Sequence, residues 1–196
     1  MTARAARSPI VPAGSTRALL IAALVVAAAC GAASPSTSSL TLVTDSEPGQ
    51  RLTVRGRVVD ENGRPVAGAR LHLYQTDVTG RYTQDKAMDE SHARLSGSLQ
   101  TDKDGAFELH TIRPGGYPKA VRIGDRDRKI PAHIHIDVAA AGFVSRKVQV
   151  VFADDPLLSE QHWKDWARNQ GHPVVTVVQA NSGQLAEVSL PLQPAQ

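Results

Sequence analysis

The chain of 196 residues contains one cysteine, Cys30, so no disulfide can form within it in any compartment. Stability must come from a packed core, with or without a metal. The sequence also lacks an internal repeat and a glycine-rich phosphate loop, which removes solenoid and P-loop architectures. It has little charge of one sign. The first 29 residues take three arginines and no acids from a total of 22 Lys+Arg and 19 Asp+Glu, which leaves 19 of each. A balanced remainder gives no basic surface for nucleic acid. Long apolar runs are missing too, because "ALLIAALVVAAA" (18–29) is too short to span a bilayer comfortably.

What is present at the start is a targeting pattern. Arg4, Arg7 and Arg17 precede that apolar run, which ends in small residues immediately before Cys30. This resembles a bacterial lipoprotein signal, with residues 1–29 removed and Cys30 as the lipidated first residue. The expected localisation is export, as a membrane-anchored lipoprotein or a periplasmic or extracellular protein. An ordinary small-residue cleavage site is the alternative. Residues 30–50 read as a flexible tether rich in Ser, Thr and Ala, and 51–196 as one domain.

From Arg51 onward, short β-runs alternate with turn chemistry. "RLTVRGRVVD", "ARLHLYQT", "AFELHTI", "HIHIDV", "RKVQVVF", "PVVTVVQ" and "LAEVSLPL" have strand patterns. Asn62-Gly63 is a hairpin signal between the first two, and "RPGGYP" (113–118) is a loop forced by its prolines and glycines. Only "SEQHWKDWARNQG" reads as a helix, with Trp163 and Trp166 as packing residues. Many short strands and one short helix predict an all-β sandwich of mostly antiparallel strands.

In "KIPAHIHIDV", His133 and His135 fall on one face of a strand, with Ile134 and Ile136 on the other. They are either paired metal ligands or two polar residues on a solvated face. Upstream, "GRVVDENGRPVAGARLHLYQTD", the Gly80-Arg81-Tyr82 triplet, "TDKDG" and "TIRPGGYP" precede "PAHIH" and "VVFADDP" in order. This ordered set, over roughly residues 51–157, resembles the intradiol ring-cleavage dioxygenases. That family includes protocatechuate 3,4-dioxygenase and catechol 1,2-dioxygenase. The resemblance implies a non-haem Fe(3+) held by Tyr82, Tyr117, His133 and His135. Phenolate suits the ferric ion over softer or divalent choices. It further implies that a small aromatic diol and O2 are the substrates. The ring would open between its two hydroxyl-bearing carbons to a muconate-type dicarboxylate, with Tyr117 leaving the metal to act as a base.

One departure stands out. Where the family carries an arginine three residues before the first ligand histidine, this chain has Ile130. Arg113 and Arg122 are the candidates to replace that cation, with Arg113 the better one for a catalytic, substrate-facing role. Two other readings stay open: a surface-anchored prealbumin-like binding or spacer module without metal, and an iron- or catecholate-binding protein without turnover. A homo-oligomer is compatible with the pattern. His72, His92, His110, His162 and His172 are expected to be scattered and exposed, and Asp154 and Asp155 to shape a turn or cap the segment after them.

Overall fold

Alternation along the chain sets two inner faces against each other. The computed structural model describes residues 38–85, 89–116, 121–123 and 126–196, the side chains of 121–123 and 126–128 excepted. Strands are numbered in chain order. One sheet runs β1 (Ser38–Thr41), β5 (Ala106–Ile112), β2 (Arg51–Asp60), β12 (Gly183–Leu192), β11 (Val177–Ala180). The other runs β10 (Val174–Val175), β9 (Arg146–Phe152), β8 (His133–Ala139), β3 (Arg70–Gln75), β4 (Leu95–Gln100). A separate ribbon pairs β6 (Val121–Ile123) with β7 (Arg126–Arg128). The expected all-β sandwich with one short helix, α1 (Gln161–Asn169), is what forms.

The core lies between the sheets. Leu52, Val54, Val58, Phe107, Leu109, Val188 and Leu190 of the first sheet meet Leu71, Leu73, Ile134, Ile136, Val148 and Val150 of the second. At Gly56 the Phe107 ring lies where a side chain would begin, since a Cβ there would sit 2.1 Å from the ring's Cζ. Only glycine lets that ring fill the middle of the core.

Four features differ from expectation. The 30–50 segment is not all tether: Ser38–Thr41 pairs in parallel with Phe107–His110, and Leu40 packs on the core. Its alternation was too short to stand out. Asn62-Gly63 does turn the chain, with Gly63 at φ +77° and Asp60 N–H bonded to the Arg64 carbonyl at 2.8 Å. No β2–β3 hairpin follows, however. Both strands carry one apolar face, and burying those faces against each other places them in opposite sheets. "PVVTVVQ" breaks at Thr176 into β10 and β11, one in each sheet. The unexpected β4, "LSGSLQ", is poor in strand-forming residues and is set by pairing with β3.

Candidate functional site

The outer face of the second sheet is covered where His133 and His135 lie, which decides the histidine question in favour of burial. His133 is 5% and His135 7% exposed. The cover begins with Asp155. Its carboxylate accepts from Leu157 N–H at 2.9 Å, capping the 3-10 turn Pro156–Ser159, and from Ala132 N–H, also at 2.9 Å. The turn leading into α1 is thereby tied to the residue before His133. Trp163 then packs with Leu158 on Val151, the cross-strand partner of His133. Trp166 stands edge-on to Trp163 at 5.4 Å, so the tryptophans pack as expected.

Tyr82 reaches the same face from the loop after β3. It is 2% exposed, and its backbone carbonyl accepts from Arg94 N–H at 2.9 Å. Its Oη lies 2.9 Å from His135 Nε2, which lies 3.0 Å from His133 Nε2. His133 Nδ1 is 2.7 Å from the Pro131 carbonyl. A carbonyl only accepts, so Nδ1 carries the proton and Nε2 turns a lone pair toward the other two donors. Burial lowers the pKa of His133 to about 4. Burial, with the charge of His133 adding, lowers that of His135 to about 3. Both imidazoles are therefore neutral, the ligand form.

Tyr117 and Cys30, with the rest of the proposed signal, lie outside the described residues. The loop that leads to Tyr117 is anchored at both ends of the site. Gln75, fully buried, donates to the Ile112 carbonyl at 2.9 Å and accepts from Thr111 Oγ1 at 2.9 Å. Thr76 Oγ1 donates to the Gly115 carbonyl, and Gly115 N–H to the Asp77 carbonyl. A Cβ on Gly115 would stand 2.4 Å from the Val78 carbonyl oxygen, and one on Gly116 3.1 Å from that of Ile130. The two glycines thus pass between the turn that delivers Tyr82 and the approach to His133.

Arg113 is placed differently from its expected role. Its guanidinium bonds both carboxylate oxygens of Asp154, at 2.9 and 2.7 Å, and sits 4.4 Å over the Phe152 ring. Asp155 is the capping residue that the sequence suggested, whereas Asp154 holds Arg113. His110, His162 and His172 are half-buried, not exposed. The N–H groups of Val151 in β9 and of Ala153 just after it bond the carbonyls of Pro173 and Val175, and His172 Nδ1 accepts from Gln149 N–H, at 3.2 Å.

Sequence reasoning missed Tyr74 and Gln149. Tyr74 lies flat on His135, centroids 4.3 Å apart and planes 8° from parallel. Gln149 pairs across the ladder with His135, and its Oε1 is buried without a hydrogen-bond partner. Period-two alternation on β3 and β9 put both on the histidine face, but only the β3-β8-β9 register sets them beside His135.

The donor set fits one first-row metal ion. Donor atoms about 3 Å apart are what adjacent ligands present when each lies about 2.1 Å from the ion. A phenol oxygen with two neutral imidazoles suits a hard-to-borderline ion. Among the described residues no group of three His, Cys, Asp or Glu side chains offers a rival site. A shallow depression of about 470 Å³ between Arg55, Arg57, Glu108 and Glu187, on the far sheet, gathers no comparable donors.

A family model described as Dioxygenase matches residues 26–191, and the chain belongs to that family, as an intradiol ring-cleavage dioxygenase relative. It is 36% identical over 125 residues to the protocatechuate 3,4-dioxygenase beta chain of Burkholderia cepacia, covering 60% of this chain and 51% of that one. It is 32% identical over 111 residues to catechol 1,2-dioxygenase of Candida albicans, covering 53% and 37%. The chain thus spans about half the length, or less, of these curated relatives. Among solved structures, the dioxygenase domain of a dioxygenase carbohydrate-binding protein fusion from Streptomyces sp. SirexAA-E superposes with a TM-score of 0.62. The identity there is 30%, over 79% of this chain and 87% of that one.

Proposed function

We propose that the chain binds ferric iron through Tyr82, His133, His135 and Tyr117. With it, the chain would cleave a catechol-type ring between the two hydroxyl-bearing carbons, both atoms of O2 entering a muconate-type dicarboxylate. The observation that carries this reading is the convergence of Tyr82 Oη and two Nε2 atoms, at 2.9 and 3.0 Å, on a buried face. Ferric iron held there would act as a Lewis acid that ligates both catechol oxygens and makes the ring reactive toward O2. The chain's own residues do the rest. Pro131 fixes the His133 tautomer, Tyr74 fixes the plane of the His135 ring, and α1 with its preceding turn keeps water from the strand face. Tyr117 is assigned the remaining ligand position and, as phenolate, takes up a catechol proton.

A second reading, catecholate binding without turnover, is favoured by Ile130 standing where the family has arginine. A cation placed beside a developing anion is worth a few kcal/mol of barrier. The visible spectrum separates the readings. The iron-loaded chain should show a tyrosinate-to-iron band that shifts when catechol is added without oxygen. On admitting O2 the shifted band should decay with one O2 consumed per ring opened. A shifted band stable to O2 would establish the binder, and a colourless protein that retains no iron would leave the metal-free module. Export and lipid attachment at Cys30 complete the proposal. Cys30→Ser should release the protein from membranes and abolish labelling by a tagged fatty acid.

A further inference from the structure

Resting on the lipid attachment at Cys30 proposed above, we propose that the end of the sandwich remote from Tyr82, His133 and His135 lies on the bilayer through an uncharged loop. The site then opens into water. The loop joins β8 to β9, and no side chain from Val138 to Ser145 carries a charge. Neither does any from Val188 to Gln196, the end of β12 and the tail after it. The two segments are zipped together. Val144 N–H donates to the Gln193 carbonyl at 2.8 Å and Ala195 N–H to the Gly142 carbonyl at 2.9 Å, with Phe143 bridged to Pro194 between them.

What this pair turns outward is apolar. Ala139, Ala141, Gly142, Val144, Pro194 and Ala195 are exposed, Val144 at 51%. Ala140 and Phe143 pack on the core behind them. At the tip Gly142 turns the chain at φ +79°, and a Cβ there would meet nothing within 4 Å. Two other turns lie at this end, since Asp60 pairs with Leu192 and Ala106 with Arg57. Those turns, Asp60–Arg64 and Asp102–Gly105, carry charges of both signs. A rigid uncharged patch exposed among charged turns marks an interaction surface.

The course of the chain names the occupant. β1 begins at this same end, where Ser38 pairs with Phe107, Phe107 with Gly56 and Gly56 with Val188. Residues 31–37 separate Ser38 from Cys30, and seven residues reach at most about 25 Å. β12 stands three strands from β1, about 14 Å and within that reach. A lipid on Cys30 therefore holds this end close to the surface, where an apolar loop enters the boundary between headgroups and acyl chains. The histidines lie at the other end of the same strand. β8 runs from His133 to Ala139, a rise of about 20 Å. Catechol and O2 thus arrive from the aqueous side.

The test uses the chain expressed with its own signal, purified from membranes and reconstituted in phosphatidylcholine vesicles. A fluorescent thiol label is placed at Ala141→Cys in the loop, or at Val78→Cys, which is 45% exposed in the turn beside the site. Lipidation occupies the sulfur of Cys30, the chain's one cysteine, so the new thiol takes the label. Nitroxide-bearing lipids should quench the loop label and leave the turn label bright, with aqueous iodide doing the reverse. Adding Val144→Asp should abolish lipid quenching of the loop label, and salt should leave it unchanged, because the loop has no charge to screen. Lipid quenching of the turn label, or of neither, overturns the inference, while uptake of a tagged fatty acid shows that the anchor still stands. A loop label shielded from iodide by cross-linking to a second copy, without lipid quenching, overturns it too. A chain that takes up no fatty acid overturns the anchoring reading and this inference with it.

Discussion

The Pro131 carbonyl, 2.7 Å from His133 Nδ1, does for this site what a hydrogen-bond acceptor behind the ring does for many metal histidines. It fixes the tautomer, so the imidazole needs no reorganisation when an ion arrives. Tyr74 acts on His135 by contact instead. Its ring lies parallel at 4.3 Å, so Tyr74→Leu should free the imidazole and weaken iron affinity by about tenfold to a hundredfold. The visible band should broaden with it, while Tyr74→Phe should leave both near native. Competition with a chelator checks the affinity. Tyr82→Phe should keep the fold, because the buried ring remains, but remove most of the band per bound iron. At this scale the sequence was informative about ligand type. Tyr82, His133 and His135 each stand in a recognisable motif. Tyr74 and Gln149 stand in none, since an aromatic and an amide on alternating strands look like ordinary surface residues until register places them beside His135.

Elements hold the site through a few polar clamps. Asp155 joins the turn before α1 to the start of β8 through two hydrogen bonds. Asp155→Ala should cost about 1–3 kcal/mol, the value of a cap plus an orphaned N–H. It should also lower iron affinity, because Ala132 adjoins His133; denaturant unfolding and chelator competition report the two effects. Gln75 plays the same part at the other edge by bridging β3 to the end of β5. Gln75→Leu should strand the Ile112 carbonyl and the Thr111 hydroxyl, at about 2 kcal/mol. Most strands could be read from alternation: Arg51–Asp60, Ala106–Ile112 and Arg146–Phe152 coincide with their predicted runs. β1 and β4 could not, because neither "SSLT" nor "LSGSLQ" has a strand signal apart from its partner. The Asn62-Gly63 turn was legible, but the sheet that the chain enters after it was not.

For the whole molecule, the buried imidazoles make stability depend on pH. The folded, metal-free protein holds His133 and His135 neutral down to about pH 4 and about pH 3. In the unfolded chain they take up protons below about pH 6.5. The unfolded state therefore binds more protons across that window, and stability falls as the pH drops through it. The loss should be on the order of 3 kcal/mol for each histidine between pH 7 and pH 4. Denaturant midpoints at several pH values should show this slope, flattened in a His133→Asn, His135→Asn variant. Bound iron should steepen the slope, since protons then compete with the metal.

The sequence by itself determined the class of fold and supplied the phenol and imidazole side chains that meet at the site. Alternating apolar residues demand two buried sheet faces, and phenol and imidazole donors in ordered motifs carry the resemblance from which the metal-binding proposal starts. Tertiary structure decided which strands face each other and that the histidine face lies under α1. It decided also that Arg113 belongs to Asp154. These outcomes depend on contacts between residues far apart in the chain. Local propensity carries no information about such contacts, because their energy exists only once the sheets have packed.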